Sequence, residues 1–362
     1  MHHSEDHLLR LGLLLAAAGA RVRRLVAQTS QGEDLLVSLA DLGAPRALLD
    51  AASSLAVTEA REVLDRVSHA GWRWVVSEGD GFPALLKAIS DPPLGLFVRG
   101  RLTDKPAVTI VGSRKASPYG RQVARLLGEE LGRAGVVVVS GMARGVDKAA
   151  HEGALAVGGS SWAVWGTGPD RIYPPEHGAL AEELATCGAL LTEYPPGTPP
   201  RRHHFPERNR ILAGVARAVV VVEAAARSGA LVTARLGLEE GREVLAVPGN
   251  IFSKLSVGPN TLLRVGARPL LTPRDLFDSI GLEAPPSTEA VAKHDLMRHI
   301  EVGAALTVDE IAARTGVAVA KIHADLLQLE LAGELRKETD GRYVRVRPGQ
   351  IGKHAHSADE PV

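Results

Sequence analysis

Two short runs, Gly112-Ser113-Arg114 and Ser140-Gly141-Met142-Ala143-Arg144-Gly145, have residue types suited to a definable chemistry. Each follows a continuously apolar segment and leads into a helical pattern. Glycine lets an anion approach the backbone, serine and free amides donate hydrogen bonds, and arginine offers a planar fork for phosphate. Either run alone reads equally well as a turn. Two of them, each with an arginine, point to a phosphate site where helices begin beyond strand ends.

A third feature is the stretch Arg201-Arg202-His203-His204-Phe205-Pro206-Glu207-Arg208-Asn209-Arg210, which with Arg217 sets five arginines against one acid. Its plain reading is a solvated face. Its functional reading is a track for a sugar-phosphate backbone, with Phe205 and Tyr173 as surfaces on which bases stack. Candidates for bond-breaking chemistry are few. Asp147 and His151 lie four apart and share a helical face, and Glu223 ends an apolar run, so a hydrolase could use them as acid and base. A helix cap and a hydrogen-bonded packing histidine explain the first two as well. There is no Gly-x-Gly-x-x-Gly and no acid after the second strand to hold a ribose, which argues against a nicotinamide dehydrogenase. The Gly-x-x-x-x-Gly-Lys-Ser/Thr loop of nucleotide hydrolases and the His-Glu-x-x-His of metalloproteases are missing too, so neither a cofactor nor a metal is expected.

The elements that must position these residues follow from periodicity. The runs Val108–Val111, Val136–Val139, Trp162–Trp165, Ala218–Val222 and Val244–Val247 are continuously apolar and separated by helical patterns. That alternation predicts a parallel sheet covered on both faces, hence a doubly wound α/β domain. Before it, residues 1–75 read as an all-helical module, of the kind that could hold a helix-hairpin-helix or serve only for docking. After it, Gly281 to Ala292 reads as a linker. Within 293–347, a helix at His294–Ile300, a capping box at Thr307 to Glu310, a third helix at Val319–Leu331 and a hairpin turning at Asp340-Gly341 outline a winged helix. Residues 348–362 read as a tail.

Composition narrows the partners. The 362 residues carry 42 basic and 42 acidic side chains, so any nucleic-acid site is local. Between Asp80 and Ile280 there are 24 basic and 19 acidic residues, an excess of five. From Lys293 to Arg347 there are nine of each, so the winged helix lacks the basic face of a duplex reader; protein contact suits it at least as well. The lone Cys187 excludes a disulfide framework and fits a reducing cytoplasm; it follows an Ala/Leu-rich helix and is expected to be buried. The apolar run Leu11–Ala20 is preceded by acids and followed by arginines, the reverse of a secretory signal, and is too short to span a bilayer.

Taken jointly and in order, these motifs resemble one family. Phe82-Pro83, Asp91-Pro92-Pro93, Ile110 to Arg114, Ser140 to Asp147 with His151, Gly166-Thr167-Gly168, Tyr173-Pro174, Phe205 to Arg210, Ser228-Gly229-Ala230-Leu231-Val232-Thr233 and Val247-Pro248-Gly249 resemble the DNA-processing protein DprA (Smf) family over about 80–270. The resemblance implies an extended Rossmann domain that binds single-stranded DNA without catalysis, in a cytoplasmic homodimer that protects incoming strands in natural transformation and loads the recombinase RecA. It implies a phosphate pocket of Gly112, Ser113, Arg114 and the Ser140 to Arg144 loop, and the expected binding set is Gly112, Ser113, Arg114, Ser140, Gly141, Met142, Ala143, Arg144, Lys148, Tyr173, Phe205, Arg208, Asn209, Arg210, Ser228, Gly229 and Thr233. Some relatives have a lysine just after the tyrosine-proline pair, where this chain has Pro175-Glu176-His177; Arg144 and Lys148 are the basic residues placed to compensate. Two other readings stay open: a nucleotide or nucleoside-phosphate hydrolase on the same scaffold, and a winged-helix transcription regulator.

Overall fold

Strand and helix alternate through the centre of the chain as the apolar runs require. The structure is a computed structural model, describing residues 5–16, 20–29, 34–284, 296–300, 304–331, 334–338 and 340–345. It divides into two units, residues 1–284 and 285–362.

The first unit opens with helices α1 (Glu5–Leu15), α2 (Ala20–Val26), α3 (Leu35–Asp41), α4 (Arg46–Val57) and α5 (Glu59–His69). Strand β1 (Trp72–Val76), a short α6 (Ala84–Lys87) and β2 (Gly95–Gly100) follow. The alternating region then runs β3 (Ala107–Val111), α7 (Pro118–Arg133), β4 (Val137–Ser140), α8 (Val146–Ala156), β5 (Ser161–Val164), α9 (Gly178–Cys187), β6 (Ala189–Thr192), α10 (His204–Gly214) and β7 (Ala218–Val221). It ends with α11 (Gly229–Glu239), β8 (Glu243–Ala246), α12 (Val257–Arg264), β9 (Arg268–Pro269) and α13 (Pro273–Ser279).

The nine strands form one sheet in the order β1-β2-β6-β5-β4-β3-β7-β8-β9. From β6 to β9 all neighbours are parallel, with β3 flanked by β4 and β7. β1 and β2 add antiparallel on the β6 side. The continuous apolar runs are explained by two buried faces: Val108, Ile110, Val138 and Val220 pack toward α7 and α8, while Val137, Val139, Val219 and Val221 pack toward α10 and α11.

The expected boundary at 75/76 falls inside β1, and the helices before it share a core with the sheet. Leu11, Leu13 and Leu39 pack in one cluster with Trp72, Trp74, Phe97 and Trp165. Arg10, buried, pairs with Asp6 at 2.9 Å and Glu78 at 2.6 Å, and Arg23 on α2 reaches Asp91 at 2.8 Å. One expectation is overturned: Cys187 is exposed, because it sits on the outer side of the last turn of α9. No helix among the described residues is long and apolar enough to cross a membrane.

The second unit holds a three-stranded antiparallel sheet in the order β10-β12-β11, of Ala305–Leu306, Tyr343–Arg345 and Leu335–Lys337. Two helices, Val308–Thr315 and Val319–Leu331, accompany it. The capping box forms as its chemistry dictates: Thr307 Oγ1 accepts from Glu310 N at 3.2 Å, and Glu310 Oε2 accepts from Thr307 N at 2.8 Å. The short β10 strand, absent from the sequence reading, pairs with β12. The expected linker from 285 on, the start of the His294–Ile300 helix and the tail at 348–362 lie outside the described residues.

Candidate nucleic-acid interface

The chain lays β3 to β6 outward on one side of β3, then returns to begin β7 on the other. A doubly wound sheet leaves a crevice at such a reversal, beyond the carboxyl ends of the strands. Here a cavity of about 790 Å³ occupies that place. Gly112, Ser113, Arg114 and Lys115 come to it from β3, Ala143 and Asp147 from the β4–α8 corner, and Tyr173 from the loop after β5. Arg202, Phe205, Arg208 and Asn209 come from α10 and its approach, and Arg227, Ser228, Gly229 and Thr233 from the β7–α11 corner.

The β3 corner is held from both sides. Ser117 caps α7, accepting from Gly120 N at 3.0 Å, while its own hydroxyl donates to Glu223 at 2.5 Å and its amide donates to the same carboxylate at 2.8 Å. From the other side Val146 N donates to Ser113 O at 3.2 Å. Gly145 makes that approach possible. Its φ is +79°, and a Cβ there would overlap Ser113 O and sit 2.9 Å from the Arg114 carbonyl.

The β4 corner faces inward. Ser140 Oγ donates to Ile110 O at 2.7 Å, and Gly141 N and Ala143 N both donate to Asp147 Oδ2, at 3.1 and 3.3 Å. Met142 is fully buried in the left-handed region at φ +56°, its carbonyl 2.9 Å from His177 Nδ1. Two amides of this corner are thus already used, and Ser140, Gly141 and Met142 do not line the cavity. Asp147 does, carrying the floor together with Arg208. Burial pushes the Asp147 carboxyl up from its ordinary range, against the pull of Arg208. Burial likewise brings the Arg208 guanidinium down to about 10. Arg208 donates to Val164 O and to Gly141 O (3.2 Å), and its Nε has no hydrogen-bond partner among the described residues.

At the mouth, Arg114 lies 5.0 Å over the Phe205 ring, which in turn meets Tyr173 at 5.4 Å between centroids. Arg114, Lys115, Arg202 and Arg227 make no ion pair among the described residues, so four cations face solvent around two rings. Asn209 donates to Gly229 O at 3.2 Å, joining α10 to the start of α11, where Ser228 caps the helix.

Three more expected residues stand elsewhere. Arg210 turns away from the cavity, its guanidinium locked on Glu193 at 2.5 and 2.6 Å and on Asp91 O at 2.9 Å. Arg144 is exposed and bonded to Glu176, and that bond holds Glu176 below the ordinary carboxylate range. Lys148 pairs loosely with Glu152 at 3.4 Å. Lys115 and Arg227 line the cavity although the sequence reading does not single them out; their adjacency to Arg114 and Ser228 is the signal available.

The groups with catalytic potential are engaged. Glu223 is taken up by Ser117. His151 is wholly buried, its Nδ1 2.7 Å from Ser161 Oγ, and burial lowers its pKa to about 3. Among the described residues no group of three or more His, Cys, Asp or Glu side chains is placed to hold a metal.

Comparison with known proteins agrees with this architecture. Residues 73–281 match the family model described as DNA recombination-mediator protein A, and 282–341 match the DprA winged helix domain. The chain is 41% identical over 289 residues to protein Smf of Escherichia coli, covering 75% of this chain and 77% of that one. It is 41% identical over 202 residues to the DNA processing protein DprA of Bacillus subtilis, covering 55% and 68%. Among solved structures, DNA processing protein A of Streptococcus pneumoniae superposes with a TM-score of 0.68 at 32% identity, over 77% of this chain and 98% of that one. DNA processing protein A of Helicobacter pylori, studied for its single-stranded DNA binding mode, superposes with a TM-score of 0.53 at 29% identity, over 58% and 96%. An extended doubly wound domain with its strand-end cavity, a helical N-terminal segment and a winged-helix match, at this identity and coverage, make the chain a member of the DprA/Smf family of DNA processing proteins.

Proposed function

We propose that the chain binds single-stranded DNA across the cavity at the β3/β7 reversal, without breaking a bond. The observation that carries this is the charge and ring layout of the mouth: Arg114, Lys115, Arg202 and Arg227, which make no ion pair among the described residues, around Phe205 and Tyr173. Cations that track a backbone beside aromatic faces are what a flexible polyanion with stackable bases requires. The single-stranded DNA binding of the Helicobacter pylori relative supports the same reading. Non-catalytic action is supported by the engagement of Glu223 and His151 in packing. The wider role is part of the same proposal and is carried by family membership: a cytoplasmic homodimer that protects incoming strands and loads RecA in transformation and recombination.

Fluorescence anisotropy with labelled oligo-dT and a duplex of equal length, across a salt series, tests the binding. Preference for the single strand is expected, and equal or stronger duplex binding overturns it. The hydrolase reading is favoured by one observation, the Asp147 carboxylate in the cavity wall. Base release from nucleoside monophosphates would establish it in place of the binding reading.

A further inference from the structure

The loop between β8 and α12 presents the two most exposed large apolar side chains described in the first unit, Ile251 (80%) and Phe252 (89%). The loop is tied down. Phe252 N donates to Asn250 Oδ1 and Ser253 N to Asn250 O, both at 2.9 Å. Asn260 on α12 clasps Gly249 in both directions, at 3.2 and 3.0 Å, and the Tyr119 hydroxyl donates to Pro248 O at 3.3 Å. The far end returns to the cavity: Leu255 lines it, and its carbonyl accepts from Ala224 N at 2.7 Å. A hydrogen-bonded loop thus holds a bare ring three residues from Leu255, which lines the proposed DNA site.

Charge identifies what covers that ring. From residue 244 to 274 the chain has Lys254, Arg264, Arg268 and Arg274 and no acid. Arg268 and Arg274 have carboxylates at 3.5 and 3.9 Å; Lys254 and Arg264 have none among the described residues. An aromatic and an aliphatic side chain two and three residues before an exposed cation, on a loop whose Leu255 lines a cationic cavity, fit a base with its phosphate. We infer that Phe252, flanked by Ile251, is a second stacking step for the single strand, taking a base that has left the cavity while Lys254 meets a phosphate. This rests on the single-strand reading proposed above.

The test uses the full chain carrying Phe252→Trp or Phe252→Ala. All four native tryptophans, at 72, 74, 162 and 165, are buried, so the new indole is the one open to a base and is read at the red edge of the emission against the wild-type background. Oligo-dT of about 20 nucleotides, longer than a single site, is expected to quench that emission, and Phe252→Ala to weaken its binding ~10-fold. Binding of a ~6-nucleotide oligomer, short enough to fill only the cavity, is expected to be unchanged. Unquenched emission together with wild-type affinity in Phe252→Ala overturns the stacking step. So does a Phe252→Ala chain whose sedimenting mass drops while strand affinity holds, which would give this face to a second copy. Arg114→Ala separates the two claims. Its unchanged affinity would sink the cavity reading, whereas its loss of affinity beside a normal Phe252→Ala sinks only the second step.

Discussion

Removing Arg114 isolates one cation of the proposed interface with little disturbance of the fold. The side chain is exposed, makes no ion pair among the described residues, feels Asp147 only at longer range, and approaches the Phe205 ring at 5.0 Å. An exposed contact of that kind contributes about 0.5–1 kcal/mol, so Arg114→Ala should shift the thermal midpoint by only a few degrees. Its effect on DNA should be larger and should have a recognisable form. One lost phosphate contact on a single strand lowers the slope of log K against log salt by ~0.7. Between about 50 and 200 mM salt, the wild type should therefore lose ~2.6-fold more affinity than the variant. The defect is greatest at low salt and narrows as salt rises, and it is the same for every base sequence because phosphate carries no sequence information. Anisotropy titrations of labelled oligo-dT and oligo-dC at four salt concentrations measure it. Parallel salt lines for the two proteins, or a defect confined to one sequence, would refute the assignment of Arg114 to a phosphate.

Three further outcomes are expected. Gly145→Ala forces a Cβ at φ +79° against Ser113 O and the Arg114 carbonyl; urea unfolding should show about 2 kcal/mol or more of destabilisation, and anisotropy a weaker strand affinity as the β3 corner moves. Arg210→Ala strips the cation from Glu193, whose side chain is 8% exposed, and should lose about 3–5 kcal/mol of stability while the remaining folded protein binds DNA normally. Acid sensitivity should trace partly to His151. Burial depresses its folded pKa to about 3 from the ordinary 6.5, so its contribution is complete above 6.5 and is lost as pH falls toward 3. The loss should run at up to ~1.4 kcal/mol per pH unit, and denaturation across pH 7 to 4 should show a shallower decline for His151→Asn.

The sequence reading reaches furthest where burial is symmetrical. β3, β4 and β7 are rich in β-branched residues, and β5 and β8 carry the apolar runs Trp162–Val164 and Val244–Ala246, so the apolar pattern alone is enough to mark them. β6, Ala-Leu-Leu-Thr, has helix-forming residues and is a strand because Leu190 and Leu191 fill the slot between β5 and β2; no local signal carries that. β1 and β2 escape because they pair antiparallel outside the alternating pattern, and Trp72 and Trp74 of β1 and Phe97 of β2 are buried with helices far earlier in the chain. The basic run in α10 shows a different limit. Successive helical residues point about 100° apart, so Arg208, Asn209 and Arg210 cannot share one face: one goes to the cavity floor, one to α11, one to Glu193. Charge along the sequence reports that cations are present, while the direction of each depends on where the buried carboxylates lie. The Ser140–Ala143 amides follow the same rule, since Asp147 claims two of them before any ligand can.

The double grip of Glu223 on Ser117, with the Val146–Ser113 bond opposite, makes the ledge after β3 a jig and not a jaw. Its shape exists before a ligand comes, so the ordering entropy that accompanies capture of a floppy polymer falls on the polymer and not on this corner. Rigidity contributed by two neighbouring strands therefore sets the terms on which one arginine can work.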